Sequence, residues 1–214
     1  MDESQQRDHL KAYGLLYNAI ENGYDCHWLL NHRGGSFAIL NADSKLIQQA
    51  LLRGVSYETS SAAQLVQLMA DLKSPANNTN TVALQRVPKI AVYSPDGAQP
   101  WDDAVTMVLE YADIPFTTIY DTEVLDGSLG DYQWLHLHHE DFTGQYGKFY
   151  GSYRDAAWYI NQKASFEAAA HDMGFDKVSQ QKLAVAKTIS TFVDNGGFLF
   201  AMCSATDSYD IALA

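Results

Sequence analysis

Cysteine is nearly absent from this 214-residue chain, and the two present, Cys26 and Cys203, stand far apart. They suggest no disulfide framework, and no Cys-x-x-Cys pair exists to hold zinc. Basic side chains are also scarce: 14 Lys and Arg face 26 Asp and Glu, a net charge of -12. That field repels phosphate backbones, and no segment concentrates enough Lys or Arg to offset it, so nucleic acid is not an expected partner. No apolar run approaches the roughly 18 residues needed to cross a bilayer, and Met1-Asp2-Glu3-Ser4 has neither the basic nor the apolar region of a signal peptide. Neither a membrane nor an export signal is therefore expected in the chain as it stands, which leaves its cellular location open.

What is present is an ordinary globular composition, 47% hydrophobic, with turn residues punctuating short periodic segments. Leu10, Tyr13, Tyr17 and Ile20 recur at helical spacing and predict a helix over 8–22, stopped by Asn22-Gly23. Strands are expected at Tyr24–Leu30, Ser36–Leu40 and Val55–Thr59, with helices from an N-cap at Ser44 and over Ser61–Leu72. Residues 73–81 (KSPANNTNT) are polar and aperiodic, a linker loop between a first half at 1–72 and a second half at 82–214. The second half reads as strand Lys89–Tyr93, acidic turn Ser94–Pro100, helix Trp101–Asp113 and strand Phe116–Tyr120. It continues with strand Tyr132–His138, an aromatic loop to about Arg154, helices Ala156–Met173 and Ser179–Asn195, and strand Phe198–Met202. Strands alternating with helices predict a single α/β domain with a flavodoxin-like or Rossmann-like, mostly parallel sheet flanked by helices.

Three segments carry candidate chemistry. In 196–207 (GGFLFAMCSATD) an apolar strand runs into small residues and then into a helix, which places Cys203 in the tight turn between them. That is the geometry of a nucleophile elbow, where a helix N-terminus favours thiolate and backbone amides await an oxyanion. The same cysteine also reads as a small buried hydrophobe closing a strand. In 134–141 (WLHLHHED) strand alternation puts His136, His138 and Glu140 on one face near the strand's C-terminal end. This set suits an acid/base pair or a metal-dependent hydrolase using His136 and His138, or ordinary packing and loop hydrogen bonds. The glycine-rich aromatic loop 141–154 offers backbone amides near Gly144 or Gly147 as oxyanion donors, or merely covers a sheet edge. His32-Arg33-Gly34-Gly35 reads either as an anion-binding nest or as an ordinary turn.

The Ala-x-Cys turn after a strand resembles that of the class I glutamine amidotransferase-like superfamily, which includes DJ-1/PfpI and ThuA-like proteins and has a flavodoxin-like sheet. More closely, LKAYG (10–14), WLLNHRGGSF (28–37), IAVYSP, PWDDAVTMVL, WLHLHHEDFTGQYGKFY and GGFLFAMCSATD resemble bacterial proteins labelled asparagine synthetase B. That label is expected to be a misannotation, because Asp2 rather than cysteine follows Met1 and no Ser-Gly-Gly-x-Asp-Ser loop occurs. The resemblance implies a first strand ahead of Met1 and a further stretch of chain after Ala214. It also implies a cysteine-dependent amidase or hydrolase with Cys203 as nucleophile, His138 or Glu140 as acid/base, and Gly144 and Ser204 at the oxyanion or substrate. As a fragment the protein would be inactive, and superfamily glutaminases place their histidine downstream of the cysteine, whereas all seven histidines here precede it. ThuA-like resemblance allows instead a noncatalytic module binding a small ligand or carbohydrate. A small molecule is the expected partner, with a homodimer compatible, and no cofactor or metal is called for.

Overall fold

The computed structural model describes residues 8–95, 104–144 and 147–214. Contacts group the chain into two compact units, Met1–Val87 with Met107–Pro115 and Pro88–Thr106 with Phe116–Ala214. No described helix is long and apolar enough to cross a membrane.

In the first unit helix α1 (His9–Glu21) is capped by Asp8, whose carboxylate accepts from the Lys11 amide at 3.0 Å. Strands β1 (Cys26–Leu30) and β2 (Ser36–Ile39) pair antiparallel across a 3-10 turn at His32–Gly34. A link this short cannot carry the crossover that parallel strands need, so this region does not extend a parallel sheet. Asn31 and Arg33 take φ of 58° and 50°, and Arg33 pairs with Glu58 at 2.9 Å: the His32–Gly35 segment is a tight turn. Helices α2 (Ser44–Leu52) and α3 (Ala62–Leu72) follow. Asp43, not Ser44, caps α2, accepting from the Leu46 amide at 2.9 Å. Ser61 and Gln64 form a reciprocal capping box on α3.

Two expectations fail here for definable reasons. Residues 55–59 form no strand, because Val55 alone is buried and its amide closes the end of α2 on the Ala50 carbonyl. Conversely, Asn80–Leu84 is strand β3, paired antiparallel with β1, although the sequence put its first residues in a linker. In the order β2-β1-β3 it is an edge strand facing water, and such a strand needs no apolar run. The core of this unit gathers Ala12, Leu15, Leu16 and Ala19 of α1 around Cys26, Leu46 and Ala50.

In the second unit β4 (Ile90–Tyr93), β5 (Phe116–Ile119), β6 (Trp134–Leu137) and β7 (Phe198–Ala201) form an all-parallel sheet in the order β5-β4-β6-β7. Numbered by appearance within the sheet this is 2-1-3-4, the flavodoxin-like arrangement, whose topological switch point lies between β4 and β6. The chain is thus α/β with a four-stranded parallel sheet flanked by helices. Helix α4 (Ala104–Ala112), which belongs to the first unit from Met107 on, links β4 to β5, and α5 (Asp121–Leu125), unforeseen in the sequence, starts straight after β5. Between β6 and β7 run α6 (Gly147–Tyr153), α7 (Ala157–Asp172) and α8 (Val178–Asp194), and α9 (Ser204–Leu213) follows β7. The expected aromatic loop therefore contains a helix, and most of the acidic turn 94–100 lies outside the described residues.

Register fixes which side chains meet. Ala91 and Tyr93, Leu135 and Leu137, and Leu199 and Ala201 share one face, packed by Val124, Val185, Ala186, Ile189 and Ala205 of the helices. Trp134 and His136 with Phe198 and Phe200 lie on the other face, as the period of two requires.

Candidate functional site

Cys203 stands where β7 ends and α9 begins, with φ 53° and ψ -137°. A residue with a Cβ enters that region at a cost of roughly 1–3 kcal/mol, and only when its surroundings over-determine it. Here they do. On one side the Met202 amide donates to the Leu137 carbonyl at 2.9 Å; on the other the Ala205 amide donates to the His138 carbonyl at 3.2 Å. The chain must bend from strand to helix between two anchors on the same neighbouring segment, and Cys203 absorbs the bend. Its side chain is exposed.

The segment after β6 is tied to α9 along its length. Ser204 Oγ donates to the His139 carbonyl at 2.9 Å, and Ser208 Oγ to the Glu140 carbonyl at 2.7 Å. The structure therefore brings His138, Glu140 and Ser204 beside the Cys203 turn. It does so differently from the strand alternation expected, because β6 stops at Leu137 and residues 138–140 have left the sheet. His136 remains in the strand, 2% exposed and stacked on Phe200 with centroids 5.5 Å apart. Its ring lies 6.1 Å from that of His138, which packs instead on His139 at 3.6 Å. His138 Nδ1 is buried and has no hydrogen-bond partner among the described residues. Glu140 folds back, its Oε2 accepting from the His138 amide at 2.9 Å.

Gly144 has a close neighbour of its own. At φ 63° it lies against the start of α8, where a Cβ would come within 2.7 Å of the Ser179 nitrogen. That close approach accounts for the glycine through packing alone. Among the described residues no three His, Cys, Asp or Glu side chains gather to hold a metal ion.

No family model, curated protein or solved structure matches the chain. The reading of the site consequently rests on its own geometry.

A second cluster escaped the sequence reading. Lys182 of α8, 2% exposed, directs its ammonium to Tyr93 Oη at 2.8 Å, Tyr120 Oη at 2.9 Å and Asp121 Oδ1 at 2.8 Å. Tyr93 Oη also donates to Asp121 Oδ1. The ammonium lies 4.2 Å from the centroid of Tyr120 and 5.9 Å from that of Phe142. Burial pulls the lysine's proton affinity down, while Asp121, Glu140 and Asp141 pull it up. Burial also holds the Tyr93 phenol well above its usual range, with Tyr120 and Asp121 adding to the effect. Helical spacing carried a usable signal, since 178, 182, 185 and 189 form one stripe and all four residues are buried. The cluster occupies the C-terminal ends of β4 and β5, the end at which open α/β sheets place ligands. A cavity of about 460 Å³ lies at the opposite end of the strands, lined by Tyr132, Gln133, Thr188, Asn195 and Gly197 among others.

Proposed function

We propose that the chain is a class I glutamine amidotransferase-like protein in which Cys203 is the nucleophile of a cysteine-dependent amidase or hydrolase. One observation carries the reading: an exposed cysteine bears the strained φ/ψ pair of a strand-to-helix elbow, where strain without a packing role is a mark of function. As the Cys203 sulfur attacks a substrate carbonyl carbon, His138 takes the thiol proton, a C–S bond forms and negative charge moves to the carbonyl oxygen. The Ser204 amide, next after the nucleophile, stands where an elbow supplies its oxyanion donor. Collapse breaks the C–N bond, and the departing amine takes a proton from His138. Water then attacks the thioester, giving one proton to His138 as the C–O bond forms; the C–S bond breaks, that proton passes to the sulfur to restore the thiol, and the carboxylic acid departs. His138 is favoured over Glu140 as acid/base, because the Glu140 carboxylate is engaged with the His138 amide.

The test is accumulation of an acyl-enzyme. Mixed with p-nitrophenyl acetate, the protein is expected to gain one acetyl group at Cys203 by mass spectrometry, and Cys203→Ser to gain none there. Acetylation spread over lysines with Cys203 unmodified contradicts the reading.

A noncatalytic small-ligand module is the second reading, favoured by the use of Ser204 and Ser208 hydroxyls as loop ties rather than toward open space. It predicts ligand binding that survives Cys203→Ser unchanged.

A further inference from the structure

Lys182 fixes more than its own pocket. An ammonium has three N–H donors, and this one has three acceptors at 2.8 to 2.9 Å, so its position is determined on every side. Of the groups it holds, Tyr93 stacks on Phe142 with centroids 5.2 Å apart, and Phe142 meets the edge of Tyr209 at 5.7 Å. Tyr209 belongs to α9, the helix that opens at Cys203. Phe142, 1% exposed, ends the 138–142 stretch whose carbonyls at His138, His139 and Glu140 accept from Ala205, Ser204 and Ser208. A continuous set of contacts thus runs from the ammonium to both sides of the Cys203 turn.

Stability alone is a poor reason for such a group. Two well-packed apolar side chains commonly do as well as a buried ion pair, whereas an ion pair with directed bonds specifies one geometry. We propose that Lys182, with Asp121, is a positioning residue for Cys203: it locks the Tyr93 and Phe142 rings, and so holds the 138–142 segment and the first turns of α9 in register. The inference rests on the reading of Cys203 as nucleophile.

The experiment uses the full chain and the double variant Lys182→Met/Asp121→Leu, which removes both charges together. Two readouts are followed: amide hydrogen exchange across 138–142, and the pH profile of Cys203 alkylation by iodoacetamide. The expected result is a folded protein with exchange about tenfold faster in that segment and an alkylation rate at pH 7 lowered about fivefold, with an altered pH profile. A folded double variant with wild-type exchange and a wild-type profile overturns the proposal. Should that variant fail to fold, Tyr209→Leu cuts the relay without touching the ion pair. The same change in profile supports the proposal, and a wild-type profile overturns it. Failure of the nucleophile reading is separately visible, as wild-type Cys203 reacting no faster than free cysteine, and the exchange data still decide whether Lys182 holds the segment.

Discussion

Cys26 lies on the central strand of a small antiparallel sheet, fully buried among aliphatic side chains, whereas Cys203 is exposed at the end of an edge strand in a parallel one. The first occupies ordinary strand backbone and could be any small apolar residue. The second holds a backbone conformation that a cysteine adopts only under constraint. The comparison separates two ways of using one side chain. In a core the thiol supplies volume, and burial, then the nearby Asp25, pushes it up to about 11, so it stays protonated and inert. In the turn the constraint is imposed by neighbours, and the thiol contributes nothing to packing that would explain it.

The largest effect that would break this contrast is chemical. Replacing Cys203 with Ser is expected to lower any hydrolytic activity at least about 1,000-fold while moving stability by no more than about 0.5 kcal/mol. Kinetics on an activated ester, paired with urea unfolding, checks both. Equal loss of activity in Cys26→Ala and Cys203→Ser would mean that neither thiol is special.

Next in size is a change around Cys26. At Gly14 of α1 a Cβ would fall 1.6 Å from the Ala112 carbonyl oxygen. Backbone cannot move aside as a side chain can, so Gly14→Ala is expected to cost about 3 kcal/mol and to open the core that shields Cys26. Denaturation midpoints and labelling of Cys26 by a thiol reagent measure this, and retained protection would show that the two helices separate without loss.

Titration gives a smaller signal with a defined sign. The ordinary thiol value is 9.0, and in the folded protein Cys26 keeps its proton up to about 11. Folded chain therefore holds a proton that unfolded chain has lost, so this contribution is complete below about pH 9 and fades between 9 and 11. The loss is at most roughly 2–3 kcal/mol, and Cys26→Ala should remove that part of the alkaline slope. Urea unfolding across this range in both proteins provides the check, and identical slopes would count against a buried thiol.

How much of this was legible in the residues follows from what each signal depends on. The central parallel strands at 90–93 and 134–137 announced themselves as short apolar runs between turns, because both of their faces are covered, while the edge strands at 116–119 and 198–201 are half exposed and were legible from their place between turns. The strand at Asn80–Leu84 did not, since an edge strand is specified by its partner rather than by its own hydrophobicity. The turn at Cys203 could be read from small residues between a strand and a helix. Its neighbours could be read only in part: alternation suggested that His136, His138 and Glu140 share a face, but the strand's end at Leu137 depends on hydrogen bonds to α9. Lys182 was hidden because lysine on a helix usually faces water, and its partners come from two segments distant from it in sequence, the end of β4 and the junction of β5 with α5.

The smallest expected effect is the most specific to the turn. Glycine enters the left-handed region without a Cβ penalty, so Cys203→Gly should raise stability by about 1 kcal/mol. Thermal or urea unfolding detects it, and a loss of stability would mean that the thiol is held by packing after all.

Reaction of the native protein with iodoacetamide at pH 7, with each cysteine followed by peptide mass spectrometry, tests the central claim most directly. The account predicts that Cys203 labels faster than free cysteine while Cys26 stays unlabelled until the protein unfolds. Cys203 reacting at or below the free-cysteine rate would contradict it.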